Sequence, residues 1–251
     1  MISQEVLDFY KKNKDLKWKM ENIPSDLTTV VEQASWILNK SNFGWIELDL
    51  EIDLGGWQLE AEQCKPFLVD HRENDSNGWR SCCIHGIDIN KTGAWTNYGY
   101  TDESAVPYQW TSLAYRAPRV TSFWKHEFPA DDFRRIRFME VIGGGSINPH
   151  SDRPGRLPGE ENFDALEFGV PINIAVIHPK ECSMTLEGFG KIPFQEGKAF
   201  IINIRHYHSV VNLSKHTRIH VIGHSKGYGK KLEDFCELVV RSYVKQQHNS
   251  V

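Results

Sequence analysis

Two histidines, an aspartate and an arginine at strand-compatible spacing stand out in this chain. His150 and Asp152 lie in Ile147-Asn148-Pro149-His150-Ser151-Asp152. His208 opens the run His208-Ser209-Val210-Val211-Asn212, and Arg218 follows ten residues after His208. On a strand, residues two apart point to the same face, so His150 and Asp152 can share one metal ion. Two imidazoles and one carboxylate make a facial triad that leaves open positions on iron(II) for an oxo-acid and for dioxygen. An oxo-acid that chelates through its keto-acid end leaves a distal carboxylate, and a buried arginine is the side chain suited to gripping it bidentately.

The His-x-Asp pair alone is weak evidence, because 11 His and 14 Asp in 251 residues generate about 0.6 such pairs by chance. Its context carries the argument. His206 competes with His208, since the two alternate around Tyr207, but the spacing to Asn212 and Arg218 favours His208. Arg218 sits in an apolar strand pattern with Ile219, Val221 and Ile222, where a charge needs a partner. His220 shares its face by alternation and is placed either against the cosubstrate or in the core. His216 and His224 read as loop or rim residues, and His178, before Pro179, as a strand end. The basic clusters Arg134-Arg135-Arg137 and 226–231 read as a solvated strand edge and a helix start.

Around these residues, residues 2–20 read as a polar helix, and a second begins near Ser25 with Leu27, Val30, Val31, Ala34 and Ile37 at helical spacing. From Gly44 the pattern turns to short runs rich in Ile, Val, Phe, Trp and Thr, broken by Gly, Pro, Asn and Asp clusters. Strands are expected at 44–50, 66–72, 80–88, 134–142, 146–152, 166–177, 182–187, 198–205, 208–213 and 217–225, with a helix near 118–128. That succession predicts a mainly β fold, a double-stranded β-helix or jelly roll of the cupin-like kind. Lys230 to Gln247 carry one apolar helical stripe. The organisation expected is a single domain over 1–251: a helical buttress (1–43), the jelly-roll core with the metal site (44–225), and a C-terminal helix (226–251). The Pro/Gly-rich stretch 153–162 is a candidate lid loop.

Composition narrows the partners. With 40% hydrophobic and 12% aromatic residues the chain can bury a sizeable core. Its formal charge of −4 creates no field that would draw a nucleic acid or an anionic membrane. Five cysteines without a Cys-x-x-Cys pair read as reduced core thiols. There is no signal-peptide pattern at the start and no apolar run near the roughly 20 residues a membrane span needs. A cytoplasmic protein with no membrane or nucleic-acid partner is expected.

Further residues join the constellation to a known family. His71-Arg72, Gly78-Trp79, the run from Phe123 to Pro129 leading into Ile136-Arg137-Phe138-Met139-Glu140-Val141, and Gly143-Gly144-Gly145-Ser146-Ile147 precede His150 and Asp152. Gly197 to Phe200, His208 to Asn212 and Arg218 follow. Over roughly residues 66–225 the chain resembles the aspartyl/asparaginyl β-hydroxylase and proline hydroxylase branch of the iron(II)/2-oxoglutarate-dependent oxygenases. The resemblance implies a hydroxylase using Fe(II), with 2-oxoglutarate and dioxygen as cosubstrates. His150, Asp152 and His208 would hold the metal and Arg218 the 2-oxoglutarate. Substrate contacts would fall in the segment ahead of the metal strand, at Arg72, Trp79, Arg80 and His85, and at Arg153 after it, with Arg156 further along the lid.

Two departures matter. The β-hydroxylase members often lack the metal carboxylate, so Asp152 makes this chain resemble the free amino-acid and proline hydroxylases more. The Arg-x-His that the family often carries on the strand after the long loop is replaced by Glu167-Phe168-Gly169-Val170-Pro171-Ile172-Asn173, which leaves Asn173 or His220 to assist Arg218. The substrate, a free amino acid or an aspartyl, asparaginyl or prolyl residue of a peptide, stays open. Two other classes fit the residues alone: a cupin-type metalloenzyme without an oxo-acid, which has no use for Arg218, and a non-catalytic β-sandwich module, which binds no metal.

Overall fold

The computed structural model describes residues 2–72, 76–152 and 164–249. Its strands are β1 (Trp45–Leu48), β2 (Val69–Asp70), β3 (Ser76–Gly86), β4 (Gln109–Trp110), β5 (Asp132–His150), β6 (Val170–Ile177), β7 (Cys182–Leu186), β8 (Gly190–Lys191), β9 (Ala199–Ile202), β10 (His208–Asn212) and β11 (Arg218–Lys226). Six helices accompany them: α1 (Gln4–Asn13), α2 (Val30–Asn39), α3 (Leu54–Cys64), α4 (Pro118–Ser122), α5 (Ala165–Phe168) and α6 (Gly229–Asn249).

All strand pairs are antiparallel, in the order β1-β9-β6-β11-β5-β10-β7-β8, with β3 also on β5 and flanked by β2 and β4. The sheet curls into the jelly roll expected from the strand rhythm. Period-two alternation divides its residues between two cores. Met139, Val141, Phe200, Ile202, Met184 and Val210 point into the roll. Ile136, Phe138, Ile219 and Val221 point outward and pack, with Trp57 and Trp124, under the helices. Each of these large buried side chains contributes about 1.5–3 kcal/mol relative to exposure.

β5 is the organising strand, because it pairs with β11 over its first half, β10 over its second and β3 along both. The two strands expected at 134–142 and 146–152 are thus one. They are joined through Gly143-Gly144-Gly145, which lets the chain bend without leaving the sheet. Gly144 has φ +71°, and a Cβ on Gly143 would lie 2.5 Å from the backbone of Lys215. Only glycine meets both demands.

Other departures from expectation have local causes. Helix α3 was not anticipated, because Gly55-Gly56 break its pattern; Asp53 caps it, accepting from the Gly56 amide at 3.1 Å. The run 66–72 is mostly a 3-10 turn followed by the short β2, and residues 165–168 form a helical turn before β6. The first helix ends at Asn13 rather than near residue 20. The expected helix near 118–128 is α4 followed by a π-helical turn over Phe123–Glu127. Buried Glu60 of α3 accepts from the Arg119 and Val120 amides at 2.8 and 3.0 Å, satisfying the orphan donors of α4. The candidate lid 153–162 lies outside the described residues.

Candidate metal and cosubstrate site

His150 ends β5 and His208 begins β10, and the two are direct partners in the antiparallel register. Pairing brings the rings to 4.3 Å between centroids. Asp152 follows two residues after His150, its Oδ2 lying 3.9 Å from each Nε2. One donor atom from each residue falls within 4.8 Å of the others.

The backbone sets the tautomers. His150 Nδ1 lies 2.8 Å from the Asn148 carbonyl and His208 Nδ1 lies 3.0 Å from the His206 carbonyl. A carbonyl only accepts, so each Nδ1 carries the proton and each Nε2 offers a lone pair toward the other two donors. Burial lowers the pKa of His208 to about 4, which keeps it neutral at physiological pH. Burial alone would raise the pKa of Asp152, but His208, His150 and Arg72 outweigh it and hold the carboxyl below its ordinary value. Two imidazoles held by their Nδ1 hydrogen bonds, together with a carboxylate, are a donor set that fits one divalent metal.

His208, not His206, is among the three groups whose donor atoms converge; His206 lies tilted against Phe189, with ring centroids 4.5 Å apart. Asn212 anchors β10 to the organising strand: its amide nitrogen donates to the Val141, Ile142 and His216 carbonyls at 3.1, 3.0 and 2.8 Å. Ser209 Oγ donates to the Ile147 carbonyl at 2.8 Å. Two side chains of the His208–Asn212 run therefore clamp the register that sets the histidine pair.

Arg218, at the start of β11, is 2% exposed, and its Nε has no partner among the described residues. Burial lowers its pKa to about 10, so it remains a cation at neutral pH. No carboxylate of the described residues pairs with it. A buried guanidinium without a counter-charge is unfavourable until an anion arrives.

Arg218 is held in place by two rings. His178 Nε2 donates to the Cys182 carbonyl at 3.1 Å, so its Nδ1 is an acceptor, 2.9 Å from His220 Nε2. His220 therefore donates through Nε2 and accepts through Nδ1 from Arg218 Nη2 at 2.8 Å. Asn173 Oδ1 contacts the same Nδ1 at 2.6 Å. Two acceptors cannot bond, so the network closes when Asn173 turns its amide nitrogen to the ring. His220 thus meets Arg218, as expected from alternation, and Asn173 reaches it through His220. His178 is part of the chain rather than a simple strand end.

His150, Asp152, His208, Asn173 and Arg218 share one cavity of about 400 Å³, walled by Met139, Ile147, Met184 and Val210. Arg72 and Trp79 line it as well: Arg72 Nη2 lies 3.6 Å from Asp152 Oδ1, and its guanidinium sits 5.4 Å over the Trp79 ring. Arg80 and His85 do not line it. Arg80 faces outward from β3 and pairs with buried Glu140. A bulge between Cys83 and His85 sets His85 opposite Ile136, among Trp110 and Phe133. Arg153 and Arg156 lie outside the described residues. Unanticipated residues also line the cavity: His71, whose Nδ1 meets Ser81 and Thr92 at 2.8 and 2.9 Å, half-buried His224, and Arg135 and Arg137. The last two were read as a solvated strand edge, yet Arg137 is 5% exposed. Alternation with inward-facing Met139 could have placed it.

The class of protein follows. The family model of the aspartyl/asparaginyl beta-hydroxylases matches residues 54–224, most of the chain. The chain belongs to that family, and it is an iron(II)- and 2-oxoglutarate-dependent oxygenase of the hydroxylase kind. No match is found among curated protein sequences. Similar solved structures include a prolyl-4-hydroxylase from Pseudomonas putida (14% identity, TM-score 0.42, covering 80% of this chain and 100% of that one). An oxidoreductase of the 2OG-Fe(II) oxygenase family from Burkholderia pseudomallei is another (10%, 0.44, 81% and 92%). A third is a prolyl hydroxylase from Trichoplax adhaerens, solved in complex with a hypoxia inducible factor oxygen degradation domain peptide fragment (14%, 0.45, 82% and 90%). Among the described residues, no helix is long and apolar enough to cross a membrane.

Proposed function

We propose that His150, Asp152 and His208 hold the iron(II), that Arg218 holds the distal carboxylate of 2-oxoglutarate, and that the reaction hydroxylates an amino acid, free or as an aspartyl, asparaginyl or prolyl residue. The observation that carries this reading is the convergence, in one cavity, of three oriented metal donors and a buried arginine with an unpartnered Nε.

When bound, iron(II) with 2-oxoglutarate and dioxygen supplies the oxidising chemistry that inserts oxygen into a C–H bond. The protein's own contribution is positional. His150 and His208 are locked by their Nδ1 hydrogen bonds, so their lone pairs need no reorganisation when the ion enters. Asp152, 41% exposed at its side chain, supplies the negative charge at the cavity mouth, next to Arg72. Arg218 offers its Nε and Nη donors in a fixed fork, steadied by His220 and Asn173. The apolar walls keep water from the reacting C–H bond.

Isothermal titration of 2-oxoglutarate into anaerobic, manganese(II)-substituted protein tests the assignment of Arg218. The Arg218→Met variant is expected to weaken binding at least about 30-fold, the loss of a charge-assisted bidentate contact worth about 2–3 kcal/mol. Equal affinity in wild type and variant would remove Arg218 from the cosubstrate site.

A further inference from the structure

His178 is neither one of the converging metal donors nor a residue of the cavity wall, yet it is fixed on every side. Its backbone amide donates to Glu196 Oε1 at 2.8 Å, and its ring lies against Phe194 with centroids 5.3 Å apart. Its Nε2 donates to the Cys182 carbonyl at 3.1 Å. With that nitrogen taken, and with burial pushing the ring's pKa down to about 4, Nδ1 is left at neutral pH as an acceptor only.

The ring it faces has more freedom. His220 is fully buried, and its Nδ1 has two neighbours. One is Arg218 Nη2 at 2.8 Å, which can only donate. The other is the Asn173 amide at 2.6 Å, which can turn either its oxygen or its nitrogen to the ring. Two neutral tautomers of His220 therefore find partners. With the proton on Nε2, the bare Nδ1 accepts from Arg218 and leaves Arg218 Nε unpartnered, ready for an anion. With the proton on Nδ1, the ring donates to Asn173 Oδ1 and meets Arg218 Nη2 with a second donor, which drives the guanidinium from its place. The acceptor on His178, 2.9 Å from His220 Nε2, permits only the first.

We propose, resting on the reading of Arg218 as the anchor of 2-oxoglutarate, that His178 is a positioning residue: it selects the His220 tautomer that holds Arg218 with its Nε turned to the cosubstrate. Without that acceptor the His220 Nε2–H is orphaned inside the protein. The cost is relieved by moving the proton to Nδ1, against Asn173. Cosubstrate affinity then falls while the metal donors stay as they are.

The test pairs two measurements on the full chain. Nitrogen-15 spectra of the histidine rings in the metal-free protein report which nitrogen of His220 carries the proton, its signals being those lost in His220→Gln. Anaerobic calorimetry with manganese(II) gives the affinities for the metal and for 2-oxoglutarate. Wild type should show His220 protonated on Nε2. His178→Phe should move that proton to Nδ1 and weaken 2-oxoglutarate about tenfold, the loss of one charge-assisted hydrogen bond, with manganese(II) affinity unchanged. His178→Asn, whose Oδ1 falls near the position of Nδ1, should keep the tautomer and most of the affinity. His178→Gln, whose amide reaches the position of Nε2 instead, should behave as His178→Phe does. A packing role alone predicts no such contrast between the two amides.

The proposal is overturned if wild-type His220 carries its proton on Nδ1, or if His178→Phe leaves either the tautomer or the 2-oxoglutarate affinity unchanged. It is overturned as well if manganese(II) binding falls together with 2-oxoglutarate binding, which would make His178 a structural prop. Should His178→Phe fail to fold, the wild-type spectrum and the contrast between His178→Asn and His178→Gln decide alone. Unchanged 2-oxoglutarate affinity in Arg218→Met would instead strike the reading of Arg218, and the tautomer result would still show whether His178 governs His220.

Discussion

At the scale of single residues, the fold carries histidines that burial keeps in one protonation state. Burial lowers the pKa of His178 and His85 to about 4, and that of His71 to about 2. An unfolded histidine titrates near 6.5. Between these values the unfolded chain binds protons that the folded chain refuses, so stability is full above about pH 6.5 and falls as pH drops toward 4, with His71 extending the loss further. Urea midpoints measured from pH 7 to pH 4 should decline through this window, and a flat profile would show that these rings are not neutral in the fold. Asn212 gives a second prediction. It is fully buried and donates to three carbonyls, so Asn212→Ala should cost about 2–4 kcal/mol in urea unfolding. A cost below about 0.5 kcal/mol would deny it the clamping role.

The residue scale is also where the sequence was most and least legible. His150, Asp152, His208 and Arg218 could be read from chemistry and spacing, because strand alternation and chain order constrain where such groups point. Arg137 was missed because a charged residue that closes a short cluster of arginines reads as solvated unless the phase of the strand is fixed by its neighbours. Arg80 and His85 were placed in the wrong direction for a related reason. Side-chain direction on β3 depends on bulges at 77/79 and 83/85, and a bulge leaves no mark in the period-two pattern.

At the scale of elements, β5 and β11 carry the inward-facing polar groups, and their outer faces must be held flat against the helical layer. Gly223 is the closest approach: a Cβ there would lie 2.4 Å from the ring of Trp124, itself fully buried. Gly223→Ala should therefore cost about 1–3 kcal/mol through overpacking. Trp124→Phe in the same chain should recover part of that loss, because the smaller ring opens space. If the single glycine change is neutral, the packing of β11 on α4 and the turn that follows is looser than described. Most strands of the roll were legible because alternating apolar runs bounded by turn residues have few other readings. Helix α3 was not, since its amphipathic signal is interrupted by two glycines and its N-terminus is fixed by Asp53 rather than by composition.

At the scale of the whole molecule, the jelly roll brings the end of β5, the start of β10 and the start of β11 to one cavity, although Asp152 and His208 are 56 positions apart in sequence. The fold supplies the register, and the register sets His150 against His208. The measurement that tests this most directly is anaerobic titration of iron(II) into the protein with 2-oxoglutarate, following the weak visible absorption of an iron(II)–oxo-acid chelate. The account predicts the absorption in wild type at one iron per chain, its loss in His208→Ala and its weakening in Arg218→Ala. Wild type that binds iron(II) without the absorption, or His208→Ala that retains it in full, would contradict the assignment of the site.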